Sequence, residues 1–213
     1  MTDRSDPHRP QPLTEDGLRI GLDFLTKHDR DLGRVMAAYG PPPLWERDTG
    51  FPTLVQIILE QQVSLSSARA AFDRLNGAVS KLEPRRFLKL DDARLKEIGF
   101  SRQKSRYCRE LAAAILENRF TIDALETMSD DDAREELMTL KGVGWWTADI
   151  YLLMALRRPD IWPSGDLALA KAAQQVKALD AIPDQDELGE LAQSWKPWRA
   201  VAARLLWHHY LSS

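Results

Sequence analysis

The chain has 213 residues, 44% of them apolar and 29% charged, which suits one domain or two small lobes and is too evenly mixed for wholesale disorder. A single cysteine, Cys108, excludes a disulfide framework, a multi-cysteine zinc site and a cysteine-ligated iron–sulfur cluster. The net charge of −3 argues against coating nucleic acid by bulk charge, and no run of about 18 apolar residues is present to span a membrane.

Residues 1–12, MTDRSDPHRPQP, are polar and Pro-rich and are expected to be disordered. They lack the apolar core of a signal peptide, so the protein is expected to be soluble and cytoplasmic. Helical periodicity follows. Leu54, Ile57 and Ile58 share a face; Ala68, Phe72 and Leu75 follow, with Ser64 as the N-cap. Ser101 caps a helix that aligns Tyr107, Leu111 and Ala114, and Ser129 or Asp130 begins a short acidic helix ending near Leu140. Trp146, Ile150 and Leu153 form the next stripe. Asp166 heads an Ala/Leu-rich segment running to about Ala178, and a last helix from about Trp198 aligns Ala202, Leu205 and His209. No segment alternates with period two, and Pro and Gly punctuate the runs, so the chain reads as all-α with ten or so short helices. A join between lobes is expected near Pro159–Gly165. Cys108, on a helical stripe, reads as core, and His208 and His209 are adjacent rather than four apart, so they make no metal pair.

Charge is unevenly spread. Residues 85–109 hold nine Arg or Lys against three acids, whereas 123–136 hold seven acids and one Arg. Either these are solvated faces of opposite sign, or the first is a local phosphate-contacting surface.

Two segments carry chemistry. In Leu140-Lys141-Gly142-Val143-Gly144-Trp145-Trp146-Thr147-Ala148, two glycines allow a tight turn ahead of an apolar helix. Backbone N–H groups there attract a phosphate oxygen, and the opposite carbonyls suit a monovalent cation. This is the pattern of a helix–hairpin–helix, a sequence-independent anchor on a DNA backbone. The second segment, Trp162-Pro163-Ser164-Gly165-Asp166, puts a carboxylate at a helix start, where it serves as an N-cap and is kept ionised by nearby N–H donors.

Together these segments resemble the helix–hairpin–helix (HhH-GPD) DNA glycosylases, and within them the 3-methyladenine DNA glycosylase II type. The hairpin is Leu140–Gly144, the Gly/Pro-rich loop Pro163–Gly165, and the family's aspartate Asp166. Ile57-Ile58-Leu59-Glu60-Gln61-Gln62-Val63-Ser64, Gly99-Phe100-Ser101-Arg102-Gln103-Lys104, and Trp195-Lys196-Pro197-Trp198-Arg199 with Trp207 add to the resemblance, which covers about 45–211. It implies a fold of two helical lobes without an N-terminal β-domain: a central lobe of about 52–158, and a second from about 13–50 with 159–213. It implies a monofunctional hydrolase acting as a monomer on damaged duplex DNA and removing alkylated purines. Asp166 would be catalytic, and Trp146, Trp207, Ile150 and Leu167 would line the base pocket. Gln62 would be the wedge with Gln61 beside it. Gly142, Gly144, Trp145, Arg102, Lys104 and Lys171 would touch DNA, and carbonyls of Met138, Leu140 and Gly142 would hold Na⁺ or K⁺. No other cofactor is required.

Some positions depart from relatives. Trp146 stands where bifunctional members carry a Schiff-base lysine, and it forms no imine. Ile150 and Leu167 stand where tyrosines are often found, which leaves lesion range open. The alternatives are a non-catalytic DNA-binding hairpin module, which has no use for Asp166, and a sibling glycosylase for deaminated or oxidised bases.

Overall fold

The computed structural model describes residues 11–213. The segment expected to be disordered lies outside this range except for Gln11 and Pro12. Twelve α-helices are found among the described residues: α1 (Glu15–His28), α2 (Arg30–Tyr39), α3 (Phe51–Glu60), α4 (Leu65–Ala78), α5 (Pro84–Phe87), α6 (Asp92–Ile98), α7 (Arg102–Leu116), α8 (Asp130–Met138), α9 (Trp145–Met154), α10 (Leu167–Lys177), α11 (Gln185–Gln193) and α12 (Arg199–Ser212). A 3-10 turn spans Ile122–Glu126, and the described residues contain no strand.

Local chemistry sets most helix starts. Ser64, Ser101 and Ser129 accept the N–H of Ser67, Lys104 and Asp132 through their hydroxyls, and Asp91 does the same for Arg94. Asp184 forms a reciprocal box with Glu187. Each such cap stabilises its helix by about 1 kcal/mol, because a helix start leaves its first N–H groups without partners.

The chain divides into two compact units. One comprises the described residues up to Glu46 with Leu152–Ser213. In it α12 packs on α1, α2 and α10. Ala200 to Trp207 are all buried, and within that run the fully buried Arg204 donates to the carbonyls of Leu44, Ala200 and Leu153. Burial pushes this guanidinium down to about 10, and its bond to the Leu44 carbonyl ties the 40–46 loop to α12 while that to Leu153 ties in the end of α9. Asp29 caps α2 and also accepts Lys177 Nζ at 2.6 Å and Trp195 Nε1 at 2.8 Å, tying α10 and the end of α11 to one carboxylate.

The second unit, Arg47–Tyr151, is built on α3. Seven of its ten residues are buried, and it packs against α4 and α7. The fully buried Phe87 sits between Phe51 and Phe100, with centroids 5.8 Å from each. Cys108 is indeed core, at 0% exposure, and burial pushes its thiol well above its usual value.

The join does not fall at Pro159–Gly165. The chain crosses between units at 46/47 and 151/152, the latter inside α9. Pro159–Gly165 is packed within the first unit: Ile161 and Trp162 are buried, the Pro159 carbonyl accepts the Ala200 N–H, and Asp160 pairs with Arg199 through two bonds at 2.9 Å. Prolines punctuate the sequence there, but the apolar residues between them pull the segment into the core.

Candidate functional site

In the Arg47–Tyr151 unit the turn between α8 and α9 is closed by the Val143 N–H on the Leu140 carbonyl at 3.1 Å. Gly142 takes φ +87, a left-handed conformation that favours glycine. A Cβ there would also lie 2.6 Å from Tyr107 Cε2 and closer still to Cγ and Cδ2, so the tyrosine ring presses on the turn from α7. Gln103 Nε2 donates to the Tyr107 hydroxyl at 2.6 Å and holds that ring in place. The Gly144 carbonyl accepts the first α-helical N–H of α9, from Ala148. Lys141, Gly144 and Trp145 are exposed, Trp145 by 56%, so the start of α9, where a helix leaves its first N–H groups without intrahelical partners, meets solvent.

The chain leaving α3 is anchored to this turn. Gln61 Nε2 donates to the Gly142 carbonyl at 2.9 Å and to Thr147 Oγ1 at 2.8 Å. Lys104 Nζ donates to the carbonyls of Leu59 and Gln61, both at 2.7 Å. Burial holds the Lys104 ammonium below the usual lysine value. Lys104 and Gln61, both expected at the DNA, are thus engaged within the protein, Lys104 with two carbonyls and Gln61 with the Gly142 carbonyl and the Thr147 hydroxyl. Gln62 differs: it takes φ +56 and is exposed, followed by the half-exposed Val63. Arg102 is exposed at the start of α7. In the basic 85–109 stretch, Arg86, Arg94 and Arg109 pair with Glu83, Glu97 and Asp92. The stretch is therefore partly a self-paired surface and partly exposed cations, Arg102 and Arg106 among them.

A feature absent from the sequence reading supports the exposed indole. Arg134 on α8 lies with its guanidinium carbon 5.4 Å from the Trp145 ring centroid, and its Nε is 2.7 Å from the buried carboxylate of Asp149. Trp146 is half-buried and Ile150 buried on the same helix. Met138 is half-buried; the carbonyls of Leu140 and Gly142 each already accept one hydrogen bond, from Val143 N–H and Gln61.

In the other unit Asp166 is the N-cap of α10: its Oδ1 accepts the Leu169 N–H at 2.9 Å and Trp207 Nε1–H at 3.3 Å. The carboxylate is half-buried, Trp207 is 8% exposed and Leu167, the next residue, 61%. The structure therefore brings Asp166, Leu167 and Trp207 together; Lys171, one turn along α10, is half-buried. A carboxylate with one oxygen held by two N–H donors suits stabilisation of a nearby positive charge. Among the described residues no group of His, Cys, Asp and Glu is placed to hold a metal.

The model of the HhH-GPD superfamily of base excision DNA repair proteins matches residues 55–198, a span that includes both the glycine hairpin and Asp166. The chain belongs to this superfamily. An alkylbase DNA glycosidase-like protein, mag2, of Schizosaccharomyces pombe is 34% identical over 190 residues, covering 86% of this chain and 89% of the relative. A putative DNA-3-methyladenine glycosylase, YfjP, of Bacillus subtilis is 26% identical over 201 residues, covering 91% and 69%. The HhH-GPD fold is also seen in the solved structure of Schizosaccharomyces pombe 3-methyladenine DNA glycosylase Mag1 with abasic DNA, at TM-score 0.79 and 24% identity, covering 89% of this chain and 94% of that one.

Proposed function

We propose that the protein is a monofunctional DNA glycosylase of base excision repair that removes alkylated purines of the 3-methyladenine and 7-methylguanine type. Named relatives along most of its length support this reading, among them a DNA-3-methyladenine glycosylase 25% identical over 192 residues. The observation that carries it is Asp166, a carboxylate held at the mouth of α10 by the Leu169 N–H and the Trp207 indole. A DNA-binding module without catalysis needs a cap at this position, which an amide also supplies, but has no need of its charge.

The chemistry follows from the substrate. A paired, stacked base must leave the duplex before its glycosidic bond is reachable, at a cost of a few kcal/mol. Gln62, exposed on its left-handed turn, fills the gap. Backbone N–H groups of Gly142, Gly144 and Trp145 grip the phosphates, and Arg102 and Lys171 add charge. An N-alkylated purine is cationic, so an indole face such as that of Trp146, beside Ile150 on its own helix, or that of Trp207, in the unit that holds Leu167, attracts it more than a neutral base. A cationic base is already a good leaving group. As its bond lengthens, positive charge grows on the sugar, and the Asp166 carboxylate stabilises it and orients water to the anomeric carbon. The carbonyls of Leu140 and Gly142 each keep one lone pair, so with Met138 they suit a Na⁺ or K⁺ that strengthens the phosphate grip. The enzyme acts as a monomer on duplex DNA in the cytoplasm.

The test is single-turnover release of base from duplexes carrying methylated, deaminated or oxidised bases. The methylated purines are expected to be released, and Asp166→Asn, which still caps α10, should bind duplex but slow release by about 100-fold or more. Wild-type rates in that variant would remove Asp166 from the reaction. No protein–DNA adduct should be trapped by borohydride, since Trp146 forms no imine.

A further inference from the structure

Gln61 is the residue whose role the sequence placed least well. It follows α3 immediately, and its neighbour Gln62 is the exposed wedge. Its amide crosses to the hairpin, a part of the chain 81 residues away, and donates to both the Gly142 carbonyl and the buried Thr147 hydroxyl. Its own carbonyl, with that of Leu59, accepts Lys104 Nζ from α7. The same α7 sends Tyr107 against Gly142. The turn before the wedge and the turn that grips phosphate thus share one amide, and α7 braces both.

We propose that Gln61 is a positioning residue that makes the wedge and the phosphate-gripping hairpin move as one body, so that seating the hairpin on a phosphate aims Gln62 into the duplex. The proposal rests on the glycosylase reading above, and deepens it by assigning how binding is linked to base extrusion. The physical ground is satisfaction of polar groups. Removing the amide leaves the half-buried Gly142 carbonyl and the Thr147 hydroxyl short of a partner, and breaks the Gln61 bonds from the turn to the hairpin while those to Lys104 of α7 remain. The lengths of 2.7–2.9 Å in this set of four bonds are those of well-formed hydrogen bonds. Residues joined in one such network respond to paired substitution non-additively, which separates linkage from two independent contacts.

The experiment uses Gln61→Leu, Gln62→Ala and the double variant of the full chain, with Gln61→Glu as a second variant that keeps the shape and loses both donors. A duplex carrying an alkylated purine beside 2-aminopurine reports unstacking by a rise in fluorescence. Gln61→Leu and Gln62→Ala should each slow that rise by about tenfold, the scale of one buried hydrogen bond, and the double variant should be little slower than either. If the two effects multiply instead, Gln61 and Gln62 act separately and the proposal falls. Amide hydrogen exchange of the free protein gives a readout that needs no activity. In Gln61→Leu and Gln61→Glu, exchange should quicken in 59–65 and in 140–147 together, with α7 unchanged. Quickening confined to 59–65 overturns the linkage even if the enzyme is active. Joint quickening upholds it even if no alkylated base is ever released, in which case only the glycosylase reading fails.

Discussion

Replacing Gly142 by alanine tests the hairpin most sharply. Two penalties combine. A left-handed φ of +87 costs an L-residue roughly 1–2 kcal/mol. The added methyl also enters the Tyr107 ring, lying 2.6 Å from Cε2 and nearer to two other ring atoms, and such overpacking costs roughly 1–3 kcal/mol. The sum, about 2–5 kcal/mol, corresponds to a melting point lower by roughly 4–20 °C for a chain of this size. Gly144→Ala is the internal control. Its Cβ meets nothing within 4 Å and its φ is not left-handed, so its cost should stay below about 1 kcal/mol, the scale of a weakened cap. Urea unfolding of both variants, with Tyr107→Ala as a third background, separates the terms. Without the ring, Gly142→Ala should cost only the backbone penalty. Equal stability of the Gly142 and Gly144 variants would refute the reasoning, as would an unchanged penalty once Tyr107 is gone.

Three further outcomes follow. Arg134→Leu strips the guanidinium from the buried Asp149 and should destabilise the protein by about 3–5 kcal/mol in urea, with part recovered by adding Asp149→Asn. Trp207→Phe keeps an aromatic face but loses the indole donor to Asp166, and single-turnover base release should slow by about tenfold while α10 stays capped by the Leu169 bond. Asp29 is an acid-sensitive group of its unit. Burial raises its pKa, but hydrogen bonds from Lys177, Trp195 and the Leu32 N–H, with the Lys177 charge, bring it below 3.8. A depressed folded value stabilises above the unfolded one and is lost as pH falls through it, so Asp29→Asn should melt below wild type at pH 7. That gap should close as the pH drops below 3.8.

What the sequence made legible was local. Ser64, Ser101, Ser129 and Asp166 announce their helices because a cap bonds to an N–H only three residues on. The glycine hairpin stands out for the same reason, and the aspartate gains its meaning from its distance to it. Tertiary partnerships were not legible. Gln61 meets Gly142 across 81 residues, Lys104 meets Leu59 across 45, and Arg204 meets Leu44 across 160. Nothing in composition or periodicity distinguishes a lysine that caps carbonyls from one that waits for phosphate, so Lys104 read as a DNA contact. Tyr107 was visible only as part of an apolar stripe; its pressure on Gly142 depends on a turn thirty-five residues away. The Pro159–Gly165 stretch misled because proline marks the ends of helices as readily as the ends of lobes.

The carboxyl of Asp166 answers to two masters, since the oxygen that terminates α10 belongs to the group assigned to chemistry. An amide in its place can still start the helix, so, on the role proposed for Asp166, a lineage would shed catalysis in one step and leave an intact, silent reader of lesions. Alanine gives up both roles at once, and selection for a sound scaffold alone would resist it. Folding thus guards the shape of this position, while on the proposed role only repair would guard its charge.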